Sequence, residues 1–177
     1  MDIAEIAQDV LAYSETVAII ENIWKSLGIP KIAEHVINFR DGLFHYIKCY
    51  EADKGNNKEE FLRQEANLYE HLNRGYKDCL LYTLLALIRK IENLISHEDL
   101  SNEKKSKLRI HLHNFKNVSL EIRLDGIDVR RLVLVDSEEI VLIKKLVEDF
   151  YKDIHSDSII KALYKKLFKQ PIFNPLM

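Results

Sequence analysis

The dominant feature of the hydrophobic pattern is one long helical stretch, Lys58–Ser96. Its first half carries apolar residues at helical spacing, separated by charged and amide residues. From Cys79 to Ile95 the stretch becomes apolar on nearly every side. A helix that is apolar on every side must be buried on every side. The pattern therefore predicts a long central helix whose second half forms the core of the protein.

Two shorter helices are predicted ahead of this stretch. Apolar residues at helical spacing indicate a first helix over Met1–Tyr13. Ser14 is of the residue type that caps helix N-termini, so it is predicted to begin a second helix. Gly28-Ile29-Pro30 is expected to end that helix, because a Gly followed by a Pro is typical of a helix C-terminus.

A third helix is predicted over Lys31–Asp53. Its apolar residues form one stripe: Ile32, Val36, Phe39, Leu43, Ile47 and Tyr50. The polar segment 53–57 contains a Gly, and a short turn of this kind folds two helices back on each other. The sequence thus predicts an antiparallel helical hairpin, Lys31–Asp53 against Lys58–Ser96. Gly75 lies inside the second helix of that hairpin, so we expect it to allow close approach of a neighbouring helix or to mark a bend.

The hydrophobic period changes after the long helix. Lys107–His113 and Val118–Leu124 alternate between apolar and polar residues, which is typical of strands. Asp125-Gly126 follows, and Asp-Gly is a strong signal for a hairpin turn. These features favour a small antiparallel meander over Lys107–Val135. The alternative is a helix from Asn102 to about Lys116, because several apolar residues there also fit one helical face.

Two further helices are predicted after the meander. Asp136–Glu139 has the acidic first turn of a helix start, and a stripe of apolar residues follows: Ile140, Ile143, Val147, Phe150 and Ile154. Ser156–Ser158 is expected to cap a last helix, whose apolar residues are Ile159, Ile160, Leu163 and Leu167. The predicted fold class is mainly α: a helical bundle around the long hairpin, with a small β-meander at about 107–135, in a single domain over 1–177.

Composition limits the classes of function. The chain has 177 residues and a net charge of −2, so no overall charge attracts it to nucleic acid or to an anionic membrane. Its longest strongly apolar run, Cys79–Ile88, is too short to span a membrane, and the N-terminus lacks the basic start of a signal peptide. Cys49 and Cys79 have neither zinc-site spacing nor a disulfide framework. We therefore expect a cytoplasmic protein with no membrane association and no cofactor.

The best candidate for chemistry lies in the third predicted helix, where Arg40 and Asp41 precede His45. A His acts as a general acid or base near neutral pH, and an Arg holds a phosphate with two hydrogen bonds. Such a pair supports metal-independent RNA cleavage, in which a 2′-hydroxyl loses its proton and the transition-state charge is stabilised.

Helical geometry separates the two side chains. Five positions turn a helix by about 140°, so Arg40 is expected near the apolar stripe and His45 on the solvent side. The alternative to a catalytic role is that Arg40 pairs with a carboxylate for structural reasons and that His45 is a solvated surface residue.

The segment Arg40-Asp41-x-x-x-His45 resembles the R-x4-6-H motif of HEPN domains. The resemblance implies a small all-helical bundle from a prokaryotic defence, toxin–antitoxin or RNA-processing system. It also implies a metal-independent ribonuclease whose site forms across a homodimer, with Arg40 and His45 as the catalytic pair and Asp41 as the polar position between them. Two features depart from the family: its motif usually lies near the last helix, and a meander is not part of the basic bundle.

Two other classes of function stay open. In the first, the protein is not catalytic, and the hairpin offers its long faces to a protein partner or to a second copy; a homodimer is expected for such surfaces. In the second, His35 and His71, each beside a Glu, approach each other across the hairpin and bind a metal. A separate feature is a basic strand face in the predicted meander, formed by Lys107, Arg109, His111 and His113.

Overall fold

A computed structural model of the chain describes residues 2–31, 33–124 and 138–168. These residues form six helices and contain no strand: α1 Ile3–Leu27, α2 Glu34–Lys54, α3 Lys58–Ile95, α4 Asn102–Leu124, α5 Glu138–Ser156 and α6 Ser158–Phe168. The predicted fold class, mainly α, is confirmed. Within the described ranges, no helix combines the length and the apolarity that crossing a membrane requires.

The first two predicted helices are one continuous helix, α1, so the predicted start at Ser14 was wrong. Buried side chains follow one another at helical spacing through this point: Ile6, Tyr13, Val17, Ile20 and Trp24. The predicted end is confirmed, because Gly28 adopts a φ of 60° and the N–H of Ile29 donates to the carbonyl of Trp24 at 2.8 Å. This is the hydrogen-bond pattern with which a Gly closes a helix.

The predicted meander was also wrong where the structure describes it. Residues 107–124 belong to the helix α4, and its buried side chains follow a helical period: Leu108, His111, Phe115, Val118, Ser119 and Ile122. The strand-like alternation also contained Ile110 and Leu120, which the helix leaves exposed. The alternative, a helix starting at Asn102, had the correct type and start but ended too early. The remainder of the prediction, including the Asp125-Gly126 turn, lies outside the described residues.

Helix α5 agrees with its predicted face, and α6 agrees with its predicted face in part. Helix α5 buries all five residues of its predicted stripe: Ile140, Ile143, Val147, Phe150 and Ile154. The Asp157 carboxylate begins α6 by accepting the N–H groups of Ile159 and Ile160 at 2.9 and 3.1 Å. It also accepts a hydrogen bond from Lys104 Nζ at 2.8 Å. In α6, Ile160 and Leu163 are buried, whereas the other two predicted residues, Ile159 and Leu167, are exposed.

The described chain divides into two compact units. The first contains residues 2–20, 31 and 33–80, and the second contains residues 21–30, 81–124 and 138–168. Helices α1 and α3 contribute residues to both units. The prediction of a single domain over 1–177 is not tested by this division and stays a prediction.

The second unit contains the apolar half of α3. Leu84, Leu87, Ile91 and Leu94 are all fully buried there. Trp24 is fully buried as well, and its Nε1 donates to the Thr83 hydroxyl at 2.6 Å. The prediction that the apolar end of the long helix supplies core residues is thus confirmed for this part of α3.

In the first unit, α2 packs against the beginning of α3 with small and polar residues. Its buried residues are His35, Asn38, Gly42, Cys49 and Ala52. The predicted apolar stripe was therefore wrong: Val36, Ile47 and Tyr50 are exposed, and Phe39 and Leu43 are only half-buried. Ile32, the first residue of that stripe, lies outside the described residues.

Contacts between α2 and α3 run in opposite directions along the two helices. Cys49 Sγ lies 3.9 Å from the carbonyl of Phe61, whereas Asn38 Nδ2 lies 3.5 Å from Asp78 Oδ2. Near the middle, a Cβ added to Gly42 would lie 3.1 Å from the Leu72 side chain. These contacts involve only the part of α3 that belongs to the first unit. The larger prediction, a bundle organised around the whole of Lys58–Ser96, stays a prediction.

Candidate functional site

The most chemically organised group in the first unit is centred on His45, on the side of α2 that faces α3. The Nδ1 atom of the half-buried His45 lies 2.6 Å from Oε1 of Gln64. The other end of the same amide, Nε2 of Gln64, donates to Oε1 of Glu60 at 2.7 Å. Because a carboxylate can only accept, the orientation of the amide is set and its oxygen accepts from His45. Nδ1 of a neutral His45 therefore carries the proton, and Nε2 carries the lone pair.

Glu60 is in turn held as a carboxylate by Arg63. The guanidinium of Arg63 donates to both oxygens of Glu60, at 3.0 and 2.7 Å. Hydrogen bonds from Arg63 and then from Gln64 lower the pKa of the Glu60 carboxyl. All three residues lie within one turn of α3, where positions three and four apart are neighbours. A relay of hydrogen bonds thus runs from Arg63 to the imidazole of His45.

His71 places a second imidazole beside the first. The rings of His45 and His71 are stacked, with centroids 5.3 Å apart and planes 19° apart. Nδ1 of His71 is buried, and it has no hydrogen-bond partner among the described residues. The rings of Phe44 and His45 are arranged edge to face, with centroids 5.5 Å apart. The site therefore offers two titratable rings in contact, one of which is oriented by Gln64.

Arg40 does not share this site within one chain. Its side chain is 72% exposed, and its Nε and Nη2 donate to Oδ1 of Asp41 at 2.9 and 2.7 Å. Arg40 lies near members of the predicted apolar stripe, as expected, but the exposures are reversed: Arg40 is exposed, whereas His45 is half-buried against α3. An exposed pair of this kind contributes little to stability, typically about 0–1 kcal/mol. The catalytic roles assigned to Arg40, Asp41 and His45 stay a prediction.

Arg40 instead lies on an exposed apolar surface, which we call the α2 apolar face. This face consists of large side chains that are each 45–56% exposed: Val36, Ile37, Phe44, Ile47 and Tyr50. On a helix with 3.6 residues per turn, Arg40 projects from the middle of this group. Contiguous exposed apolar residues with a charged group among them are typical of an interaction surface.

The alternative in which two histidines bind a metal receives no support from the described residues. Among them, no group of three or more His, Cys, Asp and Glu side chains is arranged to hold a metal ion. His35 is buried on α2, and the ring that stacks on His71 is that of His45. Burial raises the pKa of the Cys49 thiol to about 11, with Glu65 as the next contribution. Cys49 is therefore protonated near neutral pH and is a poor nucleophile or metal ligand.

Sequence reasoning missed the two partners of His45. Gln64 and His71 are seven positions apart on α3, and residues seven apart share one helical side, so their common face was detectable. The register of α2 against α3 was not detectable from the sequence, because the apolar stripe indicated the opposite side of α2 as the buried one. The hypothesis of a metal site instead placed His71 opposite His35.

No protein-family model, curated protein or solved structure matches this chain.

Proposed function

We propose that this chain is a HEPN-like, metal-independent ribonuclease of a prokaryotic defence or toxin–antitoxin system, with His45 as its general base. The observation that carries the proposal is the 2.6 Å contact between His45 Nδ1 and Gln64 Oε1. A base must present its lone pair in one direction, and a partner on the other ring nitrogen is the usual way to achieve this.

The chemistry requires two proton transfers and one charged group. His45 Nε2 takes the proton of an RNA 2′-hydroxyl, whose oxygen attacks the adjacent phosphorus. The bond to the 5′-oxygen breaks, and this leaving oxygen receives a proton. The products are a 2′,3′-cyclic phosphate and a 5′-hydroxyl. His71, stacked on His45, is the second group able to carry a proton at this site.

Arg40 is proposed to hold the phosphate, with Asp41 orienting its guanidinium through the hydrogen bonds described above. Because Arg40 and His45 lie on different sides of α2, Arg40 would serve the His45 of a second copy. The α2 apolar face around Arg40 supports a homodimer, since a second copy seated there would cover it. The proposed enzyme is therefore a homodimer with shared sites.

The test is cleavage of a fluorescent RNA in EDTA by the wild type, His45→Ala and Arg40→Ala. Loss of a general base typically lowers the rate by about 10²–10⁴-fold. Arg74→Ala is the matched control, because Arg74, like Arg40, is an exposed Arg of the first unit paired with a carboxylate, that of Glu70. A wild type that cleaves no RNA, or a His45→Ala variant as active as Arg74→Ala, would remove the proposal.

Mixing the two inactive variants tests the sharing of sites. A dimer of one Arg40→Ala chain and one His45→Ala chain has one site with both residues intact and one with neither. The mixture should therefore recover part of the wild-type activity, although each variant alone is inactive. No recovery, with exchange of chains verified by a labelled copy, would exclude a site shared between chains.

A second candidate function is a non-catalytic interaction protein that uses the α2 apolar face to bind a protein partner. The exposure of Phe44, at 56%, favours it. Phe44→Glu should then abolish association while leaving the fold intact. If the wild type cleaves nothing and Phe44→Glu alters association, this second function replaces the first.

A further inference from the structure

The exposed side of α4 concentrates positive charge in the second unit. The helix contains six Lys and Arg residues against two Glu. Five of its basic residues are three, four or seven positions apart and so lie on one side: Lys105, Arg109, His113, Lys116 and Arg123. We call this set the basic stripe. At 1.5 Å per residue, it extends over about 27 Å.

The surroundings of the basic stripe are mostly accessible. Arg109, His113, Lys116 and Arg123 are exposed, and Lys105 is half-buried. A carboxylate from another helix meets the stripe, since Glu92 lies 2.8 Å from Lys116 Nζ. Within α4, Asn117 Nδ2 lies 3.0 Å from His113 Nε2. The two acidic residues of α4, Glu103 and Glu121, lie to one side of the stripe by helical geometry.

The positive charge of α4 contrasts with the negative net charge of the first unit. Its described residues include 13 Asp and Glu against eight Lys and Arg. The whole chain has a net charge of −2, but its positive charge therefore lies mainly outside the first unit, and α4 carries part of it. A row of Lys and Arg along one helix is the usual electrostatic footprint of nucleic-acid binding.

We propose that the basic stripe binds the phosphate backbone of duplex stems in RNA, without reading their sequence. The choice of RNA rests on the proposed function. Backbone binding follows from the side chains, because Lys and Arg contact phosphates, and Arg109, Lys116 and Arg123 repeat about every 10.5 Å along the helix.

A duplex is favoured over a single strand because binding of single strands relies on stacking bases on exposed aromatic rings. Helix α4 contains no Tyr or Trp, and its Phe115 is fully buried, which leaves His113 as its one exposed ring. A duplex is instead recognised through its backbone and shape. A membrane surface fits less well, since α4 exposes three large apolar side chains, Ile110, Leu120 and Leu124, whereas membrane-bound helices present a broad apolar face.

The experiment measures binding of a labelled 20-base-pair RNA duplex by fluorescence anisotropy from 50 to 200 mM salt. The His45→Ala background keeps the RNA intact. Replacing Arg109, Lys116 and Arg123 together by Gln should weaken binding at least about tenfold at 50 mM salt. It should also lower the slope of log K against log salt by about 2–3, since each neutralised phosphate contributes about 0.9.

The matched control replaces Lys144, Lys145 and Lys152 of α5 by Gln, which removes the same charge from the same unit. Binding should change less than about twofold. An equal loss in both variants would show that net charge, and not the stripe, binds RNA. The double variant Arg109→Lys, Arg123→Lys keeps the charge and should retain binding. The melting temperatures of all variants should match. If the triple Gln variant unfolds, Arg109→Gln alone is measured, and the slope of log K against log salt should change by about 1.

Binding of other ligands tests whether duplex RNA is the preferred one. Tighter binding of single-stranded RNA, or of DNA, than of duplex RNA would overturn the proposal, as would binding to phosphatidylserine vesicles without binding to RNA. The proposed ribonuclease is judged separately by cleavage. If the wild type binds the duplex through the stripe but cleaves no RNA, the ribonuclease proposal fails alone. If it cleaves RNA and the Gln variant binds normally, this inference fails alone.

Discussion

Helices α2 and α5 use opposite kinds of side chain to reach the interior. In α5 the inward residues are large, and Phe150 is fully buried among the rings of His111, Phe115 and Tyr151. In α2 the inward residues are small or polar, whereas the large apolar ones are outside. Packing of α5 thus depends on filled volume, and packing of α2 depends on close approach and hydrogen bonds.

The difference explains why the candidate site belongs to α2. A helix that packs through Gly42 and Cys49 can bring polar residues such as His45 into contact with α3. The cost is that its apolar side is left without cover among the described residues. Such a side is retained when it has a partner to bind, which is the reason for the proposed homodimer.

The strongest test of this comparison replaces one Phe in each helix by Ala. Phe150→Ala should destabilise the protein by about 3–5 kcal/mol, because it empties a fully packed position. Phe44→Ala removes the same atoms from a side chain that is 56% exposed, and should change the free energy of unfolding by less than about 0.5 kcal/mol in dilute protein. Urea melts measure both. A large loss for Phe44→Ala would mean that the α2 apolar face is covered within the chain.

The next test adds a methyl group at each of two glycines in the first unit. A Cβ at Gly75 would collide with the hydroxyl of Tyr13 and lie 3.0 Å from Cβ of Asn38. Gly75→Ala should therefore cost about 1–3 kcal/mol. Gly42→Ala meets only the flexible end of Leu72, at 3.1 Å, so the gain in helix propensity should offset most of the clash.

Tyr13→Phe provides the control for this pair of variants. The Tyr13 hydroxyl is buried without a hydrogen-bond partner among the described residues, and burial raises its pKa far above the usual value. Removing the hydroxyl should make Gly75→Ala less costly, and thermal melts of the double variant measure this. If Gly75→Ala costs no more than Gly42→Ala, close approach does not determine the packing of α2.

The smallest expected effects are two pH dependences of opposite sign. Burial alone would raise the pKa of Asp157, but the hydrogen bonds from Lys104 and from the N–H groups of Ile160 and Ile159 outweigh it, and the pKa is lowered. Its contribution to stability is present above the unfolded pKa of about 3.9 and is lost as pH falls through the lower folded value.

Asp78, beside α2, behaves in the opposite way. Burial, followed by Glu34, raises the pKa of Asp78 despite the nearby Arg74 and Lys77. In the folded protein Asp78 prefers to be protonated, so its contribution to stability increases as pH falls through the raised pKa.

Because the pKa of Asp157 is lowered, Asp157→Asn should destabilise the protein near pH 6 and match the wild type at the lowest pH.

Asp78→Asn should give its largest relative stabilisation near pH 6, and that advantage should shrink as the pH falls. Urea melts from pH 3 to pH 7 measure both variants. If both substitutions stabilised the protein near pH 6, or if both destabilised it, the opposite pKa shifts of Asp157 and Asp78 would be contradicted.

The sequence alone determined those features that depend on neighbours along the chain. The face of α5, the cap at Asp157 and the end of α1 at Gly28 all followed from spacing and from the backbone chemistry of Asp and Gly. In α5 the five residues of the predicted stripe are all buried, whereas Val141 and Leu142, which lie off that stripe, are exposed. Here hydrophobicity and helical period indicate the same face, so one rule is sufficient.

Tertiary structure decided the features for which local rules conflict. In α4 the apolar residues fit a period of two and a helical period, and packing of Phe115 and Ile122 on one side selected the helix. In α2 the inward face depends on Gly75 and His71 of another helix, which local periodicity does not contain. Burial is a property of two surfaces, and a periodic pattern describes only one of them. The His45–His71 pair therefore emerged only when α2 and α3 were seen together.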